Sequence, residues 1–192
     1  MEKNLSHYVK VYHDHISKEA REDIVDYLNN MNEEDWIQHT YYDPNTKVSS
    51  AEAGDKELDV TTFIPPVMHN YVMERVWHGY NQYLTDLNFR WYGSWQAYSS
   101  IRYNRYKETR IMKAHCDHIH TLFDGDRKGV PTMTALGLLN DEFEGGEFVL
   151  FEEGPVEFKA GDLMIFPSNF LFPHRVDPVT SGTRYSFVAW AW

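Results

Sequence analysis

A histidine and an aspartate one residue apart, His115 and Asp117, are the first candidates for chemistry in this sequence. Residues i and i+2 on a β-strand point to the same side, so both side chains could bind one ion while Cys116 points away. His174 lies in another short strand-like run and could supply a third ligand. Two histidines and a carboxylate can occupy one face of a ferrous ion and leave the remaining positions open. The three residues therefore predict an Fe(II) site.

Arg184, ten residues after His174, has a planar guanidinium that can bind a carboxylate through two hydrogen bonds. A small dicarboxylic keto acid at the open metal positions would need its far carboxylate neutralised in a buried pocket. Arg184 meets this need, and Ser186 lies on the same strand face. Tyr103, at the end of an earlier strand-like segment, could add a phenol to the pocket. The pattern predicts a dioxygenase that uses Fe(II), 2-oxoglutarate as cosubstrate and O2.

Other residues of ligand type lie nearby but fit the pattern less well. His118 and His120 share the opposite strand parity from His115 and Asp117, so they are expected to lie outside the metal site. Cys116 has no paired base in the sequence, which argues against a nucleophilic role.

Composition narrows the class of protein. The 192 residues suit one domain, 1–192, and 16% aromatic content favours a packed β core. The single cysteine excludes an intramolecular disulfide, and no stretch approaches a membrane span, so a soluble, cytoplasmic protein with no membrane partner is predicted. A net charge of -11 disfavours nonspecific nucleic-acid binding. The basic residues Arg102, Arg105, Lys107, Arg110 and Lys113 are interpreted as a solvated loop.

Residues 1–88 are predicted to be mainly helical support. Ser17 is a candidate N-cap for a first helix, and Pro65-Pro66 suits the start of a second. Apolar residues then recur at helical spacing, which indicates core packing rather than a cofactor site. The polar stretch Val48–Asp59 is predicted to be a mobile loop.

Residues 89–192 are predicted to form a jelly-roll catalytic core, which makes the fold α+β. Short aromatic and β-branched runs separated by glycine, proline and aspartate are typical of strands. The predicted strands are Trp91–Tyr103, Thr132–Leu139, Glu147–Phe151, Val156–Phe158, Leu163–Phe166, His174–Val176 and Thr183–Trp190. Asp124–Val130 is glycine-rich and charged, and is either a flexible flap or an ordinary hairpin connection.

Several stretches from Tyr98 to Trp192 together carry a family resemblance. They are Arg102-Tyr103-Asn104, His115-Cys116-Asp117, the run from Leu138 to Phe148, Ala160–Pro167, His174-Arg175-Val176 and Gly182–Trp190. In this order they resemble the prolyl 4-hydroxylase-like branch of the 2-oxoglutarate/Fe(II) oxygenases. The resemblance covers roughly half of the chain.

The resemblance implies a double-stranded β-helix and the coupling of 2-oxoglutarate decarboxylation to hydroxylation. By matching position it implies that His115, Asp117 and His174 bind iron and that Arg184 holds the far carboxylate of the cosubstrate. It also implies that Tyr103 contacts the cosubstrate and that Trp190 lines the iron pocket, where it could meet the substrate. Ascorbate is a candidate reductant. Leu138 replaces a tyrosine of the oxygen-sensing animal relatives, so the second partner of the far carboxylate stays open between Ser186 and Thr134.

Four functions compete for this pattern. The first is hydroxylation of a prolyl residue in a peptide or protein, with release of succinate and CO2. The second is hydroxylation of a free amino acid or another small molecule. Nucleic-acid repair is disfavoured by the acidic charge and by Trp190, which stands where such enzymes usually carry a second arginine. A non-catalytic cupin-like module is disfavoured by the complete set of three ligands plus Arg184.

Overall fold

A seven-stranded antiparallel β-sheet forms the centre of the fold. Two helices pack on one face of it and a three-stranded sheet packs on the other. This is the predicted α+β class, a jelly roll or double-stranded β-helix with N-terminal supporting helices. The computed structural model describes residues 4–43, 46, 48–51, 54–90, 92–93, 95–117 and 131–192, with side chains at all of these except 42, 43 and 55.

The helices are α1 Lys18–Asn29 and α2 Pro66–Leu87, and short 3-10 turns occur at Leu5–Tyr8, Glu33–Asp35 and Gly54–Lys56. The strands are β1 Lys10–Tyr12, β2 Ile37–Gln38, β3 Tyr41–Asp43, β4 Val48–Ser50, β5 Asp59–Thr61, β6 Arg102–Tyr106, β7 Met112–His115, β8 Met133–Leu138, β9 Phe143–Gly145, β10 Phe148–Leu150, β11 Leu163–Pro167, β12 His174–Val176, β13 Val179–Gly182 and β14 Arg184–Ala191. The large sheet has the order β1-β11-β8-β14-β6-β5-β2 and the small sheet β10-β12-β7, while β13-β9 and β3-β4 form two-stranded pairs.

Alternate residues of the central strands face two separate cores. Odd-numbered side chains such as Ala135, Ile165 and Phe187 pack against the helices. Even-numbered side chains such as Leu136 and Phe166 pack against the small sheet. The division follows from the alternation of side chains along a strand. It also means that even-numbered polar residues on these strands point into the space between the two sheets.

The two helices begin where the sequence predicted. The Ser17 hydroxyl accepts a hydrogen bond from the backbone N–H of Ala20 and caps α1, while Pro66 opens α2. The close approach of α2 to the sheet depends on Gly79, since a Cβ there would overlap the Leu163 side chain. No helix within the described ranges is long and apolar enough to cross a membrane.

The first 88 residues contribute more strand than predicted. β1 extends one edge of the large sheet beside β11, and β5 and β2 extend the other edge beyond β6. These strands have two or three residues each, too few to show a period-2 pattern in the sequence. The single-domain organisation over 1–192 stays a prediction.

The prediction of a mobile loop at Val48–Asp59 is wrong for its described residues. Val48–Ser50 forms β4, and Glu57, Leu58 and Asp59 are buried. The segment looks polar in sequence because its partners are distant: Asp59 pairs with Arg105, and Leu58 enters the core between the sheets.

Two strand predictions are also corrected. Val156–Phe158 forms no strand, although the backbone N–H of Val156 donates to the Phe148 carbonyl. The strand predicted over Trp91–Tyr103 starts only at Arg102.

The interpretation of the basic cluster as a solvated loop is wrong for three residues, one of which is Lys113 on β7. Arg102 and Arg105 both lie on β6, and Arg105 is 4% exposed with its guanidinium on Glu33 and Asp59. Asp124–Val130, His118 and His120 lie outside the described residues.

Candidate active site

The two predicted histidines and the aspartate meet at one end of the small sheet. His115 ends β7, His174 begins β12, and the two are direct partners across the strand pair. Asp117 follows two residues after β7, with its Oδ1 3.4 Å from His115 Nε2 and its Oδ2 3.7 Å from His174 Nε2. One ligand atom from each residue lies within 4.8 Å of the others. The geometry is that of a three-ligand metal site.

Hydrogen bonds fix which ring nitrogens face the site. His115 Nδ1 lies 2.8 Å from the Lys113 carbonyl oxygen, and His174 Nδ1 lies 3.1 Å from that of Phe172. Each Nδ1–H donates to its carbonyl, which leaves the Nε2 lone pair free to bind a metal. A neutral imidazole held in this tautomer is the form in which histidine binds a metal ion.

The aspartate is held by the sheet. The Thr134 hydroxyl on β8 donates to Asp117 Oδ2 at 2.7 Å, and the Ser168 hydroxyl lies 2.7 Å from the same Thr134 oxygen. Thr134 was a candidate partner for the far carboxylate of the cosubstrate, but it is engaged with Asp117. Thr134 and Asp117 are 17 residues apart in the sequence, so this contact could not be read from the local pattern.

The electrostatics of the group suit a divalent cation. Burial alone would raise the pKa of Asp117, but the neighbouring His174 and His115 outweigh it and hold that pKa well below its usual range. Burial lowers the pKa of His174 to about 4, against the opposing effect of Asp117. At neutral pH the site therefore presents an ionised carboxylate and a neutral His174 imidazole.

A pocket extends from the three ligands into the space between the sheets. Its polar and aromatic walls come from even-numbered residues of β6, β8 and β14, among them Arg102, Asn104, Tyr106, Thr134 and Trp190. Trp190 is 5% exposed and lines the pocket, as the resemblance implied.

Arg184 is a buried cation close to this pocket. Its side chain is 1% exposed, and its guanidinium carbon lies 5.0 Å from the centre of the Tyr106 ring. Nη1 donates to the Ser186 hydroxyl at 3.0 Å, while the buried Nε has no hydrogen-bond partner. Among the described residues, no carboxylate lies within salt-bridge distance of Arg184. Burial lowers the pKa of this guanidinium, and an anionic ligand would compensate for the lost hydration.

Tyr103 does not reach the pocket, which corrects its predicted role. It is fully buried on the helix side of β6, where its ring contacts His69 of α2. The phenol that lines the pocket belongs to Tyr106, three residues later and of opposite parity.

Sequence reasoning also missed Arg102 and Asn104 as pocket residues. The signal was the alternation of Arg102, Asn104 and Tyr106, which have the same parity as Arg184 and Ser186 on the neighbouring strand. Reading that alternation requires the β6–β14 register, which only the structure supplies.

Residues 101–192 match the model of the family described as the 2OG-Fe(II) oxygenase superfamily. This part of the chain, which contains the three metal-site residues and Arg184, is therefore similar to that superfamily. The description of that superfamily implies Fe(II) and 2-oxoglutarate; the described donor set fits the metal, and Arg184 fits a carboxylate of the cosubstrate.

Among curated proteins, the chain is similar to PKHD-type hydroxylases. The chain is 34% identical to one from Idiomarina loihiensis over 47% of this chain and 40% of the relative. It is 36% identical to one from Delftia acidovorans over 46% of this chain and 41% of the relative. The chain thus matches about two fifths of the length of these relatives.

Solved prolyl hydroxylases share the fold across nearly the whole chain. A prolyl hydroxylase from Trichoplax adhaerens, in complex with a hypoxia inducible factor oxygen degradation domain peptide, has a TM-score of 0.70 at 16% identity and covers 96% of this chain and 83% of its own. The viral collagen prolyl hydroxylase of Paramecium Bursaria Chlorella virus-1, in a 2OG complex, has a TM-score of 0.64 at 14% identity, with 96% and 94% covered. A prolyl-4-hydroxylase from Pseudomonas putida has a TM-score of 0.62 at 17% identity, with 96% and 91% covered. These likenesses bear out the double-stranded β-helix.

Proposed function

We propose that this chain is an Fe(II)- and 2-oxoglutarate-dependent dioxygenase that hydroxylates a prolyl residue in a peptide or protein, releasing succinate and CO2. The observation that carries the proposal is the pairing of a three-ligand site in the pocket with a buried arginine next to the pocket. Three ligand side chains converge within 4.8 Å at one end, and a buried arginine without a carboxylate partner among the described residues stands close by. Each feature alone has structural explanations, but together they match a metal-bound dicarboxylate.

Each residue has a stated part in this proposal. His115, Asp117 and His174 hold the iron, which supplies the oxidising chemistry when it is bound with 2-oxoglutarate and O2. Arg184 holds the far carboxylate of 2-oxoglutarate, and Ser186 orients the guanidinium by accepting its Nη1–H. These assignments place the anion where the protein has already desolvated a cation.

Tyr106 takes the role that the sequence assigned to Tyr103. Its ring lies beside the Arg184 guanidinium and lines the pocket, so its hydroxyl is the candidate second partner of the far carboxylate. This would account for the loss of a tyrosine at Leu138, because a phenol from β6 replaces one from β8.

Two observations support a prolyl substrate: the similarity to solved prolyl hydroxylases and the wall of the pocket. The described relatives of known structure are prolyl hydroxylases, one of them bound to a peptide. Trp190 offers a flat apolar face in the pocket, suited to a pyrrolidine ring. A cytoplasmic location stays a prediction from the single cysteine.

The test is coupled turnover with matched substrates. Anaerobically prepared Fe(II) enzyme is given 2-oxoglutarate, O2 and either proline-containing peptides or free L-proline, and succinate and +16 Da products are measured. Peptides should stimulate succinate formation, and His174→Ala should abolish it while circular dichroism stays unchanged. Strong turnover of free proline with none of peptides would show that the substrate is the free amino acid. Wild-type activity in folded His174→Ala would show that His174 is not a metal ligand.

A further inference from the structure

The pocket contains a second arginine, Arg102, that none of the roles above uses. It sits on β6 with its side chain in the pocket wall alongside Asp117 and Trp190. Its guanidinium carbon lies 4.9 Å from the centre of the Trp190 ring, and its Nε donates to Asn104 Oδ1 at 3.1 Å. The head group is therefore held in place, as a binding group must be.

Among the described residues, the Arg102 guanidinium makes one hydrogen bond. A guanidinium has five N–H donors, and the bond from Nε to Asn104 accounts for one of them. In the part of the chain that the structure describes, no carboxylate lies within salt-bridge distance of Arg102. Burial lowers the pKa of this guanidinium, with Tyr106 and Asp117 opposing the change. Such a cation is stabilised by an anion from outside the described fold.

Trp190 provides an independent sign of a missing acceptor. Its indole Nε1 is buried and has no acceptor among the described residues, although it lies in the wall of a polar pocket. A buried N–H without a partner is costly, so native structures seldom retain one without a reason. Trp190 and Arg102 are in contact, and one oxygen-rich ligand could serve both donors.

The summed charge of the site, with Fe(II) and 2-oxoglutarate bound, also favours one further anionic ligand. Asp117 is the acidic residue in the described wall of the pocket, and the metal would neutralise it. The positive charges of a ferrous ion, Arg102 and Arg184 together exceed the negative charges of Asp117 and the two carboxylates of 2-oxoglutarate. One more negative charge would therefore make the occupied pocket neutral.

We infer that Arg102, positioned by Asn104, binds a carboxylate distinct from the one that Arg184 holds. The inference rests on the proposed function and deepens it. Two sources present this chemistry: a carboxylate of the primary substrate, such as a free C-terminus or an acidic side chain, and the 2-oxo carboxylate of the cosubstrate. The unfilled positive charge of the loaded site favours the primary substrate.

The experiment measures binding and needs no turnover. Quenching of tryptophan fluorescence is followed as Mn(II)-loaded protein is titrated with 2-oxoglutarate, N-acetyl-L-proline or N-acetyl-L-prolinamide. The proteins are wild type, Arg102→Gln, Arg102→Lys and, as a control, Arg75→Gln, which removes a guanidinium from α2 on the opposite face of the sheet. Circular dichroism and melting temperature establish that each variant is folded.

Wild type should bind the acetylproline carboxylate about tenfold or more tightly than its amide, and Arg102→Gln should lose that preference. Arg102→Lys should retain part of it, because it keeps the charge but not the planar fork. Equal weakening of 2-oxoglutarate binding in Arg102→Gln would instead assign the carboxylate to the cosubstrate. If Arg102→Gln binds all three ligands like wild type, or if Arg75→Gln shows the same loss, the inference is overturned.

Failure of the proposed function has a different signature. In that case wild type would not bind 2-oxoglutarate at all in the same titration. The comparison of acetylproline with its amide would still report on Arg102.

Discussion

At the scale of single residues, the site depends on buried polar groups whose partners differ in kind. Thr134 already has its acceptor in Asp117, whereas Arg184 has a hydroxyl and no anion among the described residues. The first arrangement holds the Asp117 carboxylate in the position that metal binding would require. The second leaves the Arg184 cation without a carboxylate partner in the described part of the chain, and we make a separate prediction for each arrangement.

Removing Arg184 should impair cosubstrate binding without affecting the metal. Arg184→Ala is expected to raise the apparent 2-oxoglutarate KM by two to three decades, because losing one partner of a buried charged pair costs roughly 3–5 kcal/mol. Ser186→Ala should cost less, about 0.5–3 kcal/mol, since it removes only the hydroxyl that orients Arg184. Steady-state kinetics and Fe(II) titration distinguish the two effects. An unchanged KM in Arg184→Ala would contradict the assignment of 2-oxoglutarate.

Thr134 should matter for metal affinity although it is not a ligand. Thr134→Val keeps the shape but removes the donor to Asp117, and loss of such a supporting bond typically lowers metal affinity about 10–100-fold. The matched control is Thr85→Val on the exposed face of α2, whose hydroxyl bonds the Asn81 carbonyl of the preceding turn. Anaerobic Fe(II) titration is the measurement. Equal affinities for Thr134→Val and wild type would show that Asp117 is held by other means.

The types of the ligands were predictable from sequence, but which side each residue faces was not. His115, Asp117, His174 and Arg184 are distinguished by residue type and order, and the structure brings the first three together. Tyr103 and Tyr106 are the same type on the same strand, so only the register of β6 on β14 decides between them. A shift of one residue along the strand moves a side chain from the pocket to the helix side of the sheet.

At the scale of elements, the central strands are matched through cross-strand pairs. Gly137 on β8 lies directly opposite Phe187 on β14, and the fully buried Phe187 ring covers the space where a Cβ would be. The glycine has a packing role here, because the aromatic ring of the neighbouring strand fills its place.

Adding a methyl group at this position should therefore destabilise the fold. Gly137→Ala is expected to lower the free energy of unfolding by about 1–3 kcal/mol, the usual cost of overpacking a core. Gly93→Ala is the control, since a Cβ at Gly93 would meet no atom within 4 Å. Urea unfolding followed by circular dichroism compares the two. A Gly137→Ala protein as stable as Gly93→Ala would show that Phe187 can move aside without cost.

Element prediction succeeded where a pattern was long and failed where it was short. The stripe of α2 and the runs of β8, β11 and β14 contain enough residues to define a period. Val48–Asp59 contains β4 and the first residue of β5 within a polar stretch, so no period was visible. Its buried residues are stabilised by contacts far away in sequence, as Asp59 is by Arg105, which local propensity does not report.

At the scale of the whole molecule, one buried arginine adds to the contacts that β1 and the two helices make between residues 1–88 and the rest of the fold. Arg105 of β6 contacts Glu33 through both terminal nitrogens, at 3.0 and 2.8 Å, and contacts Asp59 of β5 at 3.0 Å. Its guanidinium also stacks 4.3 Å from the centre of the Trp36 ring. β6 carries the pocket residues on its other face, so this cluster supports the strand that shapes the site.

The two carboxylates on Arg105 should contribute unequally to stability. The Glu33 side chain is 71% exposed and that of Asp59 only 12%. Glu33→Gln is therefore expected to cost about 0–1 kcal/mol, the range for exposed ion pairs, even though Arg105 and Lys107 lower the pKa of Glu33 to about 2. Asp59→Ala removes the buried partner and should cost about 3 kcal/mol or more, because the positive charge of Arg105 then stays buried with only an exposed partner. Thermal unfolding of both variants beside wild type measures the difference, and succinate formation by Asp59→Ala below its melting temperature reports on β6. If Glu33→Gln lowers the melting temperature more than Asp59→Ala does, the exposed carboxylate contributes more to the Arg105 cluster than the buried one.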